Sequence, residues 1–271
     1  MSIAKTVVLI TGANSGIGYQ TVRHLLASER PYHIFLGARS NDKSQSAITR
    51  LVEEYPRTSS ELSPLVIDLE SDDSIAQAHE TIKAKTDVLD VLINNAGVEL
   101  DGDGAENGLK TRQIFDKTWS TNVTGPYILT STLIPLLLKS KDGRILFLTS
   151  GTASFELSTN EEFFLNISPE AGWPKKYQRE LPSYKSSKVG LNMIMRDFYR
   201  ILKNDNIKVW TVNPGFVVTG LGGNPETLKN LGAGNPDQSG SFVKDVVEGK
   251  RDKDVGKTVQ QKWLYGDVLP F

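Results

Sequence analysis

Two tyrosines in this chain stand four residues ahead of a lysine: Tyr184 with Lys188, in "LPSYKSSKVG", and Tyr199 with Lys203. On a helix, positions i and i+4 share a face, so either pair would set an ammonium beside a phenol. A phenol suits the alkoxide that forms when hydride reaches a carbonyl carbon, but its ordinary pKa of about 10 leaves it slow at neutral pH. A cation beside it stabilises the phenolate and lowers that value. The spacing also arises by chance in a chain this long, and either pair would serve equally in an amphipathic helix.

A second chemical signal is "TGANSGIG" at 11–18. It follows an apolar run directly and opens a helical pattern, the setting of a dinucleotide-binding turn. Gly12 permits the tight turn, Gly16 lets backbone approach a pyrophosphate and Gly18 allows close helix–sheet packing. Asn14, Ser15 and Ile17 complete a loop whose free N–H groups face the phosphates. A βα turn with no ligand has the same look. In "LGARS", Ala38 stands where an NAD-binding acid is expected and Arg39 follows it. An arginine there suits a 2′-phosphate and favours NADP over NAD, or is a solvated surface residue. Asp68, with Leu69 beside it, falls where an adenine edge would lie, or flanks a helix. In "NNAG" (94–97), Asn95, Ala96 and Gly97 allow backbone to approach a ribose, or form a simple turn.

The elements that must position these residues alternate. Strands are expected at 6–10, 33–37, 64–68, 88–94, 144–150 and 208–213. Helices are expected at about 15–28, 41–54, 71–84, 111–138 (interrupted by Pro126 and Pro135) and 183–203. Strands this apolar, separated by helices, predict a single-domain α/β Rossmann fold over 1–271: a doubly wound parallel sheet with helices on both faces. Two segments break the rhythm, 151–181 and the Gly/Asn/Pro-rich 214–240.

Composition narrows the classes. The net charge is −1, and scattered Lys and Arg argue against a nucleic-acid surface or a polybasic membrane anchor. With no cysteine there is no disulfide and no thiolate chemistry. No apolar run reaches the ~18 residues of a membrane span, and no signal-peptide pattern precedes Thr6, so a cytoplasmic protein is expected. His24, His33 and His79 lack ligand spacing, and no metal is implied.

"TGANSGIG", "NNAG", Asn122, Ser150, "YKSSK" and "NPGFVVT" follow one another in the order of the short-chain dehydrogenase/reductase family, which the chain resembles from about residue 5 to 220. The resemblance implies Tyr184 as acid/base and gives Lys188 the nicotinamide ribose. It implies Ser150 as the carbonyl's hydrogen-bond partner, with Thr149 adjacent and Ser154 close by as alternatives, and Asn122 as the helix-kinking residue that holds a relay water, or else as an ordinary buried amide. After the sixth strand it assigns Pro214, Gly215, Val217 and Thr219 to NADP(H); the glycine-rich 214–240 would then be a substrate lid, or equally a disordered surface loop. Tyr199, near the end of its helix and without a carbonyl binder, is left to packing.

One departure stands out. Ser150 and Tyr184 are separated by an insertion containing Phe155, Phe163, Phe164, Trp173 and Tyr177. Such an insert resembles the carbonyl-reductase branch, whose members are frequently monomeric. Its aromatics would line the substrate mouth or anchor the insert to the body. "WLYGDVLPF" at the C-terminus would cap the sheet edge, touch substrate or mediate association. The reading is an NADPH-dependent reductase of hydrophobic carbonyls, against an alternative of a catalytically idle NADP-binding sensor on the same fold.

Overall fold

In the computed structural model the described residues are 5–163, 165–175, 181–221, 223–263 and 265–271. Eight strands form one sheet in the order β3-β2-β1-β4-β5-β6-β7-β8. They are β1 (Thr6–Ile10), β2 (Tyr32–Ala38), β3 (Glu61–Val66), β4 (Val91–Asn94), β5 (Arg144–Leu148), β6 (Lys208–Asn213), β7 (Thr258–Trp263) and β8 (Gly266–Leu269). All neighbours pair in parallel except β7 and β8.

Period-two side-chain alternation splits each strand between two apolar layers. Val7 and Leu9 of β1, with Ile145 and Phe147 of β5, face helices α3 (Asp72–Lys83), α6 (Gly125–Leu137) and α8 (Pro182–Leu202). Val8, Ile10, Leu146 and Leu148 face α1 (Gly16–Leu26), α2 (Asn41–Glu54) and α10 (Pro236–Val247). This is the expected single α/β Rossmann-type unit with helices on both faces.

Four details differ from expectation. The third strand runs earlier, over Glu61–Val66, and contains Pro64, tolerated because β3 is an edge strand. The long helix at 111–138 is broken into α5 (Thr111–Trp119), a π-helical turn (Ser120–Thr124) and α6. Short helices α7 (Phe155–Ser158) and α9 (Pro225–Asn230) lie in the two segments that break the rhythm, and α4 (Asp103–Glu106) lies where no element was expected. Residues 236–240, read as the end of the lid, are the first turn of α10, which packs on α1: a Cβ on Gly240 would meet the Gln20 carbonyl carbon at 2.5 Å.

β7 and β8 were outside the six strands expected. Their "TVQQKW" is not an apolar run; Gln260 is buried because its amide is paired, accepting from Asn213 and donating to the Gly266 carbonyl. Of the C-terminal alternatives, sheet extension is therefore the one observed. Tyr199 packs against the core with Arg196 over its ring, as expected of a packing residue. Among the described residues no helix is long and apolar enough to cross a membrane, and no His/Asp/Glu cluster could hold a metal.

Candidate active site

The loops leaving the carboxyl ends of β1, β4, β5 and β6 meet at one edge of the sheet, where open α/β folds bind ligands. Two cavities of about 490 and 510 Å³ lie there side by side. Tyr184 lines both, with Glu99, Thr149 and Thr219.

The first cavity is walled by the glycine-rich turn. Gly12 (φ 63°) and Gly16 (φ 56°) hold left-handed conformations that only glycine adopts freely. Asn14, Ser15 and Ile17 also line it. Gly18 does not: a Cβ there would stand 2.5 Å from Asn95 Nδ2 and 2.7 Å from the Gly12 carbonyl, so it serves closure of the turn on itself. Asn95 ties the turn to β4, donating to the Thr11 carbonyl at 2.7 Å, while Thr11 Oγ1 accepts from the Asn95 and Ala96 amides at 3.0 Å each. Thr11 was not singled out from the sequence.

Ala38 is buried and Arg39 exposed at the far end of this cavity, with Lys43 of α2 beside them. Lys43, four residues after Arg39, was missed, although that spacing was readable. Asp68 and Leu69 line the same end, and the Asp68 carboxylate accepts from the Glu70 amide at 3.0 Å. Ala96 and Gly97 form the floor; a Cβ on Gly97 would lie 3.1 Å from Asn122 Oδ1 and 3.4 Å from Lys188 Nζ.

Asn122 lies in the π-helical turn, fully buried behind that floor rather than on either cavity wall. Its amide donates to the Val98 carbonyl (2.9 Å) and Ser187 Oγ (3.0 Å), and its oxygen accepts from the Val98 amide at 2.8 Å. π-turns of this kind are common at functional sites. Lys188 is buried, donates to the Leu148 carbonyl at 2.8 Å and stands 5.7 Å from the Tyr184 ring centroid.

Burial drives the Lys188 ammonium down to about 8. Burial also pushes the Tyr184 phenol up to about 12; the hydrogen bond with Ser150 works against that rise and the Glu99 charge adds to it. Loss of water dominates that shift, and the Lys188 ammonium donates to the Leu148 carbonyl. Ser150, at the end of β5, shares a hydrogen bond with Thr152 Oγ1 at 2.9 Å.

The second cavity is more apolar. Ser150 and Tyr184 line it, together with Phe163 and Leu165 of the insertion and Phe216, Leu228 and Leu231 of the stretch after β6. Gly215 and Val217 line it too, while Pro214 and Thr219 touch both cavities. The Val217–Gly234 bridge ties the ends of this wall together. Phe155 and Trp173 are exposed, so of the insertion's aromatics only Phe163 is seen at the mouth; Phe164 and Tyr177 lie outside the described residues.

A dinucleotide fits this arrangement. Gly12 and Gly16 set the turn against the first cavity, and the buried Thr149 hydroxyl on its wall has no partner among the described residues. Such a buried polar atom is costly unless something meets it.

The family described as short chain dehydrogenase matches residues 6–161. Short-chain dehydrogenase/reductase tropE of Talaromyces stipitatus is 38% identical over 268 residues, covering 98% of both chains. Short-chain dehydrogenase/reductase eupG of Phoma sp is 40% identical over 96% of this chain and 98% of its own. Among solved structures, the NADPH-bound carbonyl reductase from chicken fatty liver superposes with a TM-score of 0.77 at 24% identity, over 99% of this chain and 100% of the other. Carbonyl reductase Sniffer of D. melanogaster gives 0.75 at 23%, again over 99% and 100%. These two share the fold; the end-to-end identity to the first two relatives goes further, and by it the chain belongs to the short-chain dehydrogenase/reductase family of oxidoreductases.

Proposed function

We propose that the protein is an NADP(H)-dependent carbonyl reductase that interconverts a ketone or aldehyde with its alcohol. The observation that carries this reading is the position of Tyr184, which lines both cavities, with Ser150 on the wall of the second. When bound, the nicotinamide supplies or accepts the hydride. Ser150 donates to the substrate oxygen as charge develops, and Tyr184 gives up its proton there. A phenol near 12 stays protonated through the neutral range, the state reduction requires. Alcohol oxidation needs that proton removed, so it gains as pH rises. Lys188 holds the nicotinamide ribose, and Asn122 supports the relay by fixing Val98 and the Ser187 hydroxyl.

Arg39 and Lys43 favour a 2′-phosphate at the adenosine end, where no acid follows β2 until Asp42. The apolar walls of the second cavity favour a bulky hydrophobic or aromatic carbonyl, with residues 214–235 as the lid.

Tyr184→Phe is expected to cut ketone reduction by ~10²–10⁴-fold while NADPH binding, read by fluorescence, is kept. Unchanged turnover would sink the mechanism, and kept binding with lost turnover separates an enzyme from an idle sensor. The Arg39→Ala/Lys43→Ala double variant should lose ~10–100-fold of its preference for NADPH over NADH. A preference left intact would refute the cofactor assignment.

A further inference from the structure

The helix that carries Tyr184 starts without a cap of its own. Leu181, at the N-cap position, offers no side-chain acceptor, and Pro182 has no N–H to satisfy. The next two amides donate to a residue far back in the chain. Ser183 N–H reaches Asp101 Oδ1 at 3.1 Å and Tyr184 N–H reaches Asp101 Oδ2 at 3.0 Å. One carboxylate therefore holds the backbone of the phenol-bearing residue and of the residue before it.

Asp101 belongs to the loop that leaves β4. Asn95, Ala96 and Gly97, earlier in that loop, form the floor of the first cavity, and Val98 is clamped at both backbone groups by Asn122. Glu99 Oε1 accepts from the Asp101 amide at 2.7 Å and the Gly102 amide at 3.4 Å, holding the turn that presents Asp101. The cofactor floor and the start of α8 are thus joined through a short stretch of restrained backbone.

We propose that Asp101 is a positioning residue for carbonyl reduction, fixing the first turn of α8 so that the Tyr184 phenol stays in reach of Ser150 and the substrate oxygen. The proposal rests on Tyr184 being the proton donor. An anion at a helix N-terminus making two charge-assisted bonds is a firm anchor. The chemistry is sensitive to it, since a misplacement of about 1 Å can cost ~10²-fold in rate. An amide at the same position accepts through one oxygen only, leaving one of the two N–H groups facing an NH₂.

The test compares Asp101→Ala and Asp101→Asn with Tyr184→Phe in the full-length protein. The turnover number for ketone reduction is expected to fall ~10–100-fold in the alanine variant and less in the asparagine variant, with the NADPH dissociation constant within about twofold of wild type in both. The primary isotope effect on turnover with 4-deuterated NADPH should rise as hydride and proton transfer become limiting. Amide hydrogen exchange at residues 183–184 should quicken even without cofactor. Where the alanine variant fails to fold, the isosteric asparagine variant decides. Asparagine-variant turnover within twofold of wild type overturns the proposal, as does an NADPH affinity loss that matches the rate loss. If Tyr184→Phe turns over normally, the reading of Tyr184 fails and takes the Asp101 proposal with it. If it is dead while both Asp101 variants work normally, the Asp101 proposal alone fails.

Discussion

Lys188 is a charge held where water does not reach, 4% exposed, and this sets function against stability at a single residue. Its pKa falls from 10.5 to about 8 on folding. Below pH 8 the lysine is charged in both folded and unfolded chains, so the whole burial cost is present. Between about 8 and 10.5 the unfolded chain binds more protons, stability rises with pH, and above that range the cost is gone. Lys188→Met should therefore be more stable than wild type at pH 7 by roughly 1–3 kcal/mol while losing activity. Thermal unfolding of both proteins across pH 6–11 checks this, and an advantage that does not shrink toward high pH would contradict it. Tyr184 was selected over Tyr199 from sequence context alone, because the neighbouring motifs were local and ordered. Asp101 was not readable, since its significance lies in a helix start 82 positions away; Thr149 was legible only as a neighbour of Ser150, and its hydroxyl's lack of a partner among the described residues is seen in the structure alone.

At the scale of elements, glycines decide where helices touch. Gly240 brings α10 against the backbone of α1 at Gln20, and Gly125 brings α6 against the Leu69 carbonyl, where a Cβ would stand at 2.3 Å. Neither contact yields to a rotamer change, since the opposing atoms are backbone. Gly240→Ala is expected to cost about 1–3 kcal/mol in urea unfolding. It should also weaken NADPH binding, because α1 carries the glycine-rich turn. An alanine variant as stable as wild type would mean that the two helices can separate freely. Most strands and helices were legible because each is an apolar run or a 3.6-residue pattern; β3, whose burial alternates along "ELSPLV", was placed three residues late. β7 was hidden by Gln260, whose burial depends on partners from β6 and β8. α10 was hidden by its Pro, Ser and Gly start, although Phe242, Val243, Val246 and Val247 carry a helical face.

Across the molecule, the cavity-bearing edge of the sheet has a counterpart at the opposite end. Arg144, 5% exposed at the start of β5, pairs with Asp142 at 2.7 Å and Asp252 at 2.6 Å, and Lys208 of β6 meets the same two carboxylates. The cations hold both carboxylates below the ordinary carboxylate value despite burial. Their contribution is thus present above about pH 4 and is lost as pH falls through the folded values. Asp252→Asn should lower stability at neutral pH by about 1–2 kcal/mol, a figure reduced because this carboxylate is one-third exposed. It should also flatten the acid limb of the stability curve, which urea titrations between pH 3 and 7 would reveal.

Asn122 carries a consequence of a different kind. Its carboxamide meets both the N–H and the C=O of Val98, the two bonds a facing strand residue would make. A side chain on a broken helix thereby imitates a peptide unit and holds Val98 as a strand neighbour would. The cavity floor at Ala96–Gly97 is thereby held at its next residue, Val98. An aspartate at 122 would set two oxygens against each other there, so the amide is demanded by backbone mimicry, before any part it plays in moving protons.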